Sequence, residues 1–158
     1  MKLSVIIALF CSHLMMATFG VALGIYLLPI LTSPSAPLTS KIRQLSAQSN
    51  YTAVISSELK GSDFLHWGEG EFSLSPNTIT FLGKLSPGPD FKLYLSPRFI
   101  ESETDFLHAK SSMLMVGDVK TFENFVTNST APIALKNYNT VIVWCESFGE
   151  FITAAKYR

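Results

Sequence analysis

The pattern of hydrophobic and polar residues divides the chain into one long apolar stretch and a series of short alternating segments. The stretch from Leu3 to Leu31 contains no Asp, Glu, Lys or Arg. A helix of this length, rising about 1.5 Å per residue, exceeds the ~30 Å hydrocarbon core of a bilayer. The pattern therefore predicts a transmembrane helix over residues 1–31.

A cleaved secretory signal is the alternative interpretation of this segment, because Lys2 supplies a short basic region at the N-terminus. Signal sequences usually have an apolar region of about 7–15 residues before a small-residue cleavage site. Here the apolar run continues through GVALGIYLLPIL, and the small residues near Ala36 are interrupted by Pro34 and Pro37. We therefore expect an uncleaved signal-anchor.

The orientation of this helix follows from the basic residues beside it. Lys2 favours a cytoplasmic N-terminus, whereas Lys41 and Arg43 weigh weakly the other way. We expect a single-pass protein of the inner cell membrane whose C-terminal domain is extracytoplasmic, in the periplasm.

The rest of the chain has the pattern of an all-β domain. Residues 32–60 begin with TSPSAPLT, typical of a stalk, and end with the β-branched YTAVISSEL of a first strand. Within residues 61–158, hydrophobic and polar positions alternate in EFSLS, TITFLGKL, FKLYLS and FITAAKY, with Pro, Gly and Asn turns between several of them. We expect an antiparallel β-sandwich or a jelly-roll-like barrel.

Two segments, MLMVG and NTVIVWCES, are almost continuously apolar. Such runs are typical of central strands that are covered on both faces. The pattern therefore predicts two central strands, with Met113 and Met115 in the core.

Charge and motifs narrow the functional classes. The 12 basic and 12 acidic residues balance, so no nucleic-acid partner is expected. The sequence contains no GxxxxGK[ST], GxGxxG or HExxH motif, and without a catalytic motif we do not expect an enzyme. One cysteine and two histidines, His66 and His108, follow the apolar stretch, which is too few for a typical zinc site, and no metal is expected.

Cys145 is the residue with the most distinctive chemistry. The other cysteine, Cys11, lies in the apolar stretch, so a disulfide within the domain and a CxxC centre are both excluded. In VIVWCESF, alternation places Cys145 on the face of Val141 and Val143 and Trp144 on the opposite face, and both faces are expected to be buried. Three roles for the thiol stay open: packing, redox chemistry or cofactor ligation, and an intermolecular disulfide.

Several blocks of the sequence resemble the DM-thirteen domain family, which is often described as an electron-transfer domain. The resemblance covers residues 61–158 and is most specific in its Trp-Cys block. The matching residues are Gly61, Phe64, His66 and Gly70, then Pro89-Asp90-Phe91 and Leu93-Tyr94-Leu95, then Val141, Ile142, Trp144, Cys145 and Phe148.

The resemblance implies a redox or electron-transfer role centred on Cys145, as a bare thiol or as the ligand of a prosthetic group. The group is unspecified and haem is one candidate, for which His66 would be the second axial ligand. Trp144 and Trp67 would support the site, and a protein redox partner is expected. On the residues alone, His66 also suits a turn hydrogen-bonded to backbone, and His108 suits the surface.

Two other functional classes compete with this one. In the first, the domain is a non-catalytic binding or adhesion module and the cysteine is structural. In the second, a thiol enzyme, His66 would activate Cys145; this class is the weakest because no residue is assigned to orient His66.

Overall fold

The computed structural model describes residues 2–56 and 59–158. Helix α1 spans Leu3–Thr32, and none of its residues is buried. It is long and apolar enough to cross a membrane, and a signal sequence near an N-terminus has the same properties. A short extended segment leads to helix α2 (Thr39–Ser46), whose Ile42 is buried against the domain.

Within the described residues, eight strands form two separate four-stranded sheets in which every pairing is antiparallel. The first sheet has the order β1-β2-β3-β6 and contains β1 (Tyr51–Val54), β2 (Gly68–Leu74), β3 (Thr78–Leu85) and β6 (Phe125–Asn128). The second has the order β5-β4-β7-β8 and contains β4 (Phe91–Ser96), β5 (Leu114–Val119), β7 (Thr140–Cys145) and β8 (Glu150–Lys156). The all-β prediction is confirmed at this level, and the sheets do not close into a barrel.

The core between the sheets is built from the inward-facing residues of the strands. In the first sheet, the ring of Phe81 lies 4.7 Å from Phe72 and 5.0 Å from Phe125, measured between centroids. In the second sheet, the inward-facing residues of β7 are paired with apolar residues of β4: Val141 with Leu95, Val143 with Leu93, and Cys145 with Phe91. The predicted face of Cys145 is therefore confirmed, and Cys145 lies at the end of this row.

The prediction for MLMVG was wrong. Strand β5 is at the edge of its sheet and pairs only with β4, and the side chain of Met115 is 53% exposed. Met113 precedes the strand and is half-buried, but it packs against the core as predicted. A short apolar run does not distinguish a central strand from an edge strand, because that difference depends on which strands pair beside it. NTVIVWCES, by contrast, is a central strand buried at every position of β7.

A helix that the strand pattern did not predict covers the outer face of the second sheet. Helix α3 (Glu103–Ala109) begins after Ser102, whose side chain accepts a hydrogen bond from the Asp105 amide at 3.3 Å. Phe106 of this helix is fully buried and stacks on Trp144, with ring centroids 3.9 Å apart. The outward face of β7 is therefore buried as well.

Candidate functional site

Cys145 ends strand β7 at the edge of the inter-sheet core. Its neighbours across the sheet are Phe91 in β4 and Glu150 in β8, and only 2% of the residue is exposed. A tight turn follows, in which the Gly149 amide donates to the Cys145 carbonyl at 3.0 Å. Gly149 has φ +71°, a conformation that glycine adopts without the steric cost other residues would carry. The turn holds the sulfur at the end of the sandwich.

The thiol of Cys145 is held in its protonated form. Its Sγ–H donates to the Pro89 carbonyl, with the two atoms 3.0 Å apart. Burial raises the pKa of the thiol, whereas the Phe148 and Ser147 amides, which hydrogen-bond to the sulfur, act to lower it. The net shift is upward, which is typical of an unreactive thiol until a base removes its proton.

The loop that carries Pro89 has a constrained backbone. Asp90 has φ +54°, in the left-handed region, and its carbonyl accepts from the Glu146 amide at 3.1 Å. A Cβ on Gly88 would meet the Phe91 ring at 2.7 Å, so a side chain here would force the buried ring to shift. The hydrogen-bond acceptor of the Cys145 thiol is thus fixed by its own loop.

His66 is held in a turn by Asp63. One oxygen of the Asp63 carboxylate accepts from the amides of Leu65 and His66, each at 2.7 Å. The other oxygen lies 3.1 Å from His66 Nδ1, and this hydrogen bond is the main cause that lowers the pKa of Asp63. Because a carboxylate accepts, Nδ1 carries the proton and Nε2 is left as the ring nitrogen able to accept one.

Cys145 and His66 line the same cavity. Its volume is about 220 Å³, and its walls include Pro89, Phe91 and Phe148 of the domain. Ala22, Ile25 and Tyr26 of helix α1 complete the wall. Within the described residues no hydrogen bond joins Cys145 to His66. The structure therefore brings together the two residues that the resemblance singled out, without direct contact between their polar atoms.

The two tryptophans do not line this cavity. Trp144 faces α3, and its Nε1 is buried without a hydrogen-bond partner among the described residues. Trp67 is half-buried, and its backbone exchanges hydrogen bonds with Ser86 at 2.9 and 3.1 Å. If they support the site as predicted, Trp144 would do so by packing strand β7, and Trp67 by holding the turn after His66.

Glu146 forms a second polar cluster, on the α3 side of the sheet. Its carboxylate accepts from the Tyr94 hydroxyl and from Lys110 Nζ, the latter at 2.6 Å. Burial acts to raise the pKa of Glu146, but these two hydrogen bonds outweigh it and the pKa lies below its usual value. His108 is exposed on α3, as predicted for a surface histidine. Neither Glu146 nor His108 lines the Cys145 cavity.

Sequence reasoning favoured a solvated face for Asp63 and named Pro89 only as part of a family block, not as a partner of Cys145. The spacing of Asp63 three residues before His66 is a local signal, because an Asp side chain commonly caps the amides two and three residues on. Pro89 has no such signal, since it lies 56 residues from Cys145 in the chain.

Comparison with known proteins gives a family assignment. The family model described as Electron transfer DM13 matches residues 58–157. No curated protein and no solved structure matches the chain. Since the family model spans well over half of the 158 residues, the chain belongs to the Electron transfer DM13 family.

Proposed function

We propose that this protein is a membrane-anchored redox module whose reacting group is the thiol of Cys145. The domain would be periplasmic, held at the inner membrane by α1 as a single-pass signal-anchor. The family description supports a redox-related role, and the length and composition of α1 support anchoring. The observation that carries the proposal is that Cys145 and a histidine oriented by Asp63 line one cavity.

In the proposed chemistry, the sulfur of Cys145 is the nucleophile and the imidazole of His66 is the base. His66 Nε2 accepts the thiol proton as Cys145 reacts, and the amides of Ser147 and Phe148 stabilise the thiolate. With a peroxide as oxidant, sulfur attacks one peroxide oxygen, the O–O bond breaks, and Cys145 becomes a sulfenic acid. The leaving oxygen takes the proton from His66, so hydrogen peroxide yields one water.

A bare thiol fits this cavity better than haem ligation does. Cysteine and histidine are both axial ligands of haem iron. Cofactor pockets usually measure about 300–1,000 Å³, whereas this cavity measures about 220 Å³. No step is therefore assigned to haem.

A binding or adhesion module with a structural cysteine is the second candidate. The observation that favours it is the burial of Cys145, whose thiol already donates a hydrogen bond to the Pro89 carbonyl. On this alternative the thiol is a small apolar residue of the core and does not react while the domain is folded.

Trapping of oxidised Cys145 separates the two candidates. The full chain with Cys11→Ser, which leaves one thiol, is treated with hydrogen peroxide in detergent and then with dimedone, which labels sulfenic acids. We expect a single adduct, located at Cys145 by mass spectrometry and absent when Cys145→Ser is added. A folded chain that forms no adduct, but forms one after unfolding in urea, would support the structural cysteine instead.

A further inference from the structure

Exposed apolar side chains line the Cys145 cavity or lie next to it in the chain. Phe64 is 86% exposed, Leu65 48% and Phe148 56%. We call these three residues the apolar rim. Leu65 and Phe148 both line the cavity together with Ile25 and Tyr26 of α1. Single exposed apolar residues are ordinary, but a group next to an apolar helix indicates a contact surface.

The part of α1 beside the apolar rim is where the helix would leave the membrane. Two cavities along Cys11–Ile25 are lined by residues of α1 alone, with no residue of the domain. Ala22 is the first helix residue in a cavity shared with the domain. A helix from Leu3 to Ala22 rises about 30 Å, the thickness of the hydrocarbon core. Tyr26, one turn further, is of the residue type enriched at the membrane interface.

The polarity of the domain changes along the helix in the same direction. Ala22, Ile25 and Tyr26 face the apolar rim, whereas Leu28, Pro29 and Thr32 line the neighbouring cavity with Asp90, Lys92, Asp118 and Lys120. Lys92 Nζ lies 2.6 Å from Asp90 and 2.9 Å from Asp118. Apart from His66 and Glu150, mostly apolar groups line the cavity nearest the membrane-spanning part of α1, and ion pairs lie beyond them.

Asp63 directly precedes Phe64 and Leu65 of the apolar rim, and its carboxylate already accepts hydrogen bonds from this loop. It accepts hydrogen bonds from two backbone amides and from His66. These bonds hold the carboxylate against the loop's own backbone, while the Asp63 side chain stays 54% exposed beside Phe64 and Leu65.

The connection between α1 and the domain restricts their relative positions. The side-chain amide of Asn124 donates to the Pro37 carbonyl and to Thr39 Oγ1, both at 3.3 Å. The connecting segment contains two prolines, whose φ angles are fixed, and Ile42 of α2 is buried in the domain. The apolar rim is therefore held next to α1.

We propose that the apolar rim rests in the headgroup region of the bilayer that holds α1, so that the Cys145 cavity opens at the lipid surface. This inference rests on the anchoring part of the proposed function and not on its redox chemistry. A small oxidant that partitions into the interface would then reach Cys145 directly from the membrane.

Depth-dependent fluorescence quenching tests this contact on the full chain. The chain is reconstituted in phosphatidylethanolamine–phosphatidylglycerol vesicles that contain lipid with a nitroxide near the headgroup end of the acyl chain. Tryptophan is introduced by Phe64→Trp or Phe148→Trp, and the emission of the unsubstituted chain is subtracted. Tyr26→Trp is the reference for the interface. Asn137→Trp is the matched exposed control, at the opposite end of β7 from Cys145.

We expect Phe64→Trp and Phe148→Trp to lose about twofold or more of the added emission, as Tyr26→Trp does, because interfacial apolar groups enter about 5–10 Å. Asn137→Trp should lose none. Quenching of Tyr26→Trp without quenching at the rim would overturn this inference and leave the anchoring intact. Absence of quenching at Tyr26→Trp as well would overturn both, and neither result depends on the reactivity of Cys145.

Discussion

At the scale of single residues, the behaviour of the site depends on how tightly the Cys145 proton is held. Burial and the negative charges of Asp90 and Glu150 raise the pKa of the thiol, and the thiol donates a hydrogen bond to the Pro89 carbonyl. His66, which we propose takes that proton, is oriented by Asp63 at the same cavity. The resting state is therefore a thiol that needs a base in order to react.

The raised pKa makes a prediction for alkylation. In the Cys11→Ser chain, the pH at half-maximal alkylation of Cys145 should lie above that of the same chain unfolded in urea. The rate is measured with iodoacetamide as a function of pH, and a midpoint equal to or below that of the unfolded chain would contradict the prediction. Because folding favours the protonated thiol, its contribution to the free energy of unfolding is complete at pH values below the pKa of the unfolded thiol. That contribution is lost as pH rises through the folded value.

The sequence predicted part of this site. Alternation in VIVWCESF correctly predicted that Cys145 shares a face with Val141 and Val143 and that both faces are buried. The alternation pattern could not predict what surrounds the thiol, because the loop holding Pro89 and the turn holding His66 come from distant parts of the chain. The family resemblance, and not periodicity, singled out His66.

At the scale of elements, helix α3 determines how the outer face of the second sheet is covered. Phe106 stacks on Trp144 with an interplanar angle of 9° and meets the Tyr94 ring edge-on at 5.1 Å. Lys110 follows the helix and binds Glu146, the residue after Cys145. The helix thereby holds the side of β7 opposite the cavity.

Removal of the Phe106 ring should therefore destabilise the domain strongly. Phe106→Ala is expected to lower the free energy of unfolding by roughly 3–5 kcal/mol, because a fully buried aromatic side chain is lost. Leu107→Ala, an exposed neighbour on the same helix, should change it by less than about 0.5 kcal/mol. Urea unfolding of the full chain in detergent, followed by circular dichroism, measures both. Equal effects of the two substitutions would show that α3 does not hold the sheet.

The elements differ in how well the sequence predicted them. Strands β2, β3, β4 and β8 lie where alternating segments predicted strands, and β7 lies on its continuous apolar run. The run MLMVG misled because its edge position is set by pairing with β4 alone. Helix α3 is only seven residues long, too short for a periodic signal, and its Ser102 cap was the one available clue.

At the scale of the whole molecule, one end of the two-sheet domain carries both the candidate site and the approach to α1. The end of β7, the Pro89 loop and the His66 turn meet there, and Ala22, Ile25 and Tyr26 of the helix complete the cavity wall. The apolar stretch was readily predicted from composition. Its position against the domain was not, because that depends on the Asn124 hydrogen bonds and the burial of Ile42.

The central claim is that His66 assists the oxidation of Cys145, and the rate of that oxidation tests it most directly. The rate of sulfenic acid formation by hydrogen peroxide is measured near pH 7 in the folded Cys11→Ser chain, with and without His66→Gln. His108→Gln, a substitution of the exposed histidine on α3, is the matched control. We expect His66→Gln to slow the reaction by roughly 10²–10⁴-fold, the usual contribution of a general base, and His108→Gln to leave the rate unchanged. Equal rates in all three chains would contradict the account.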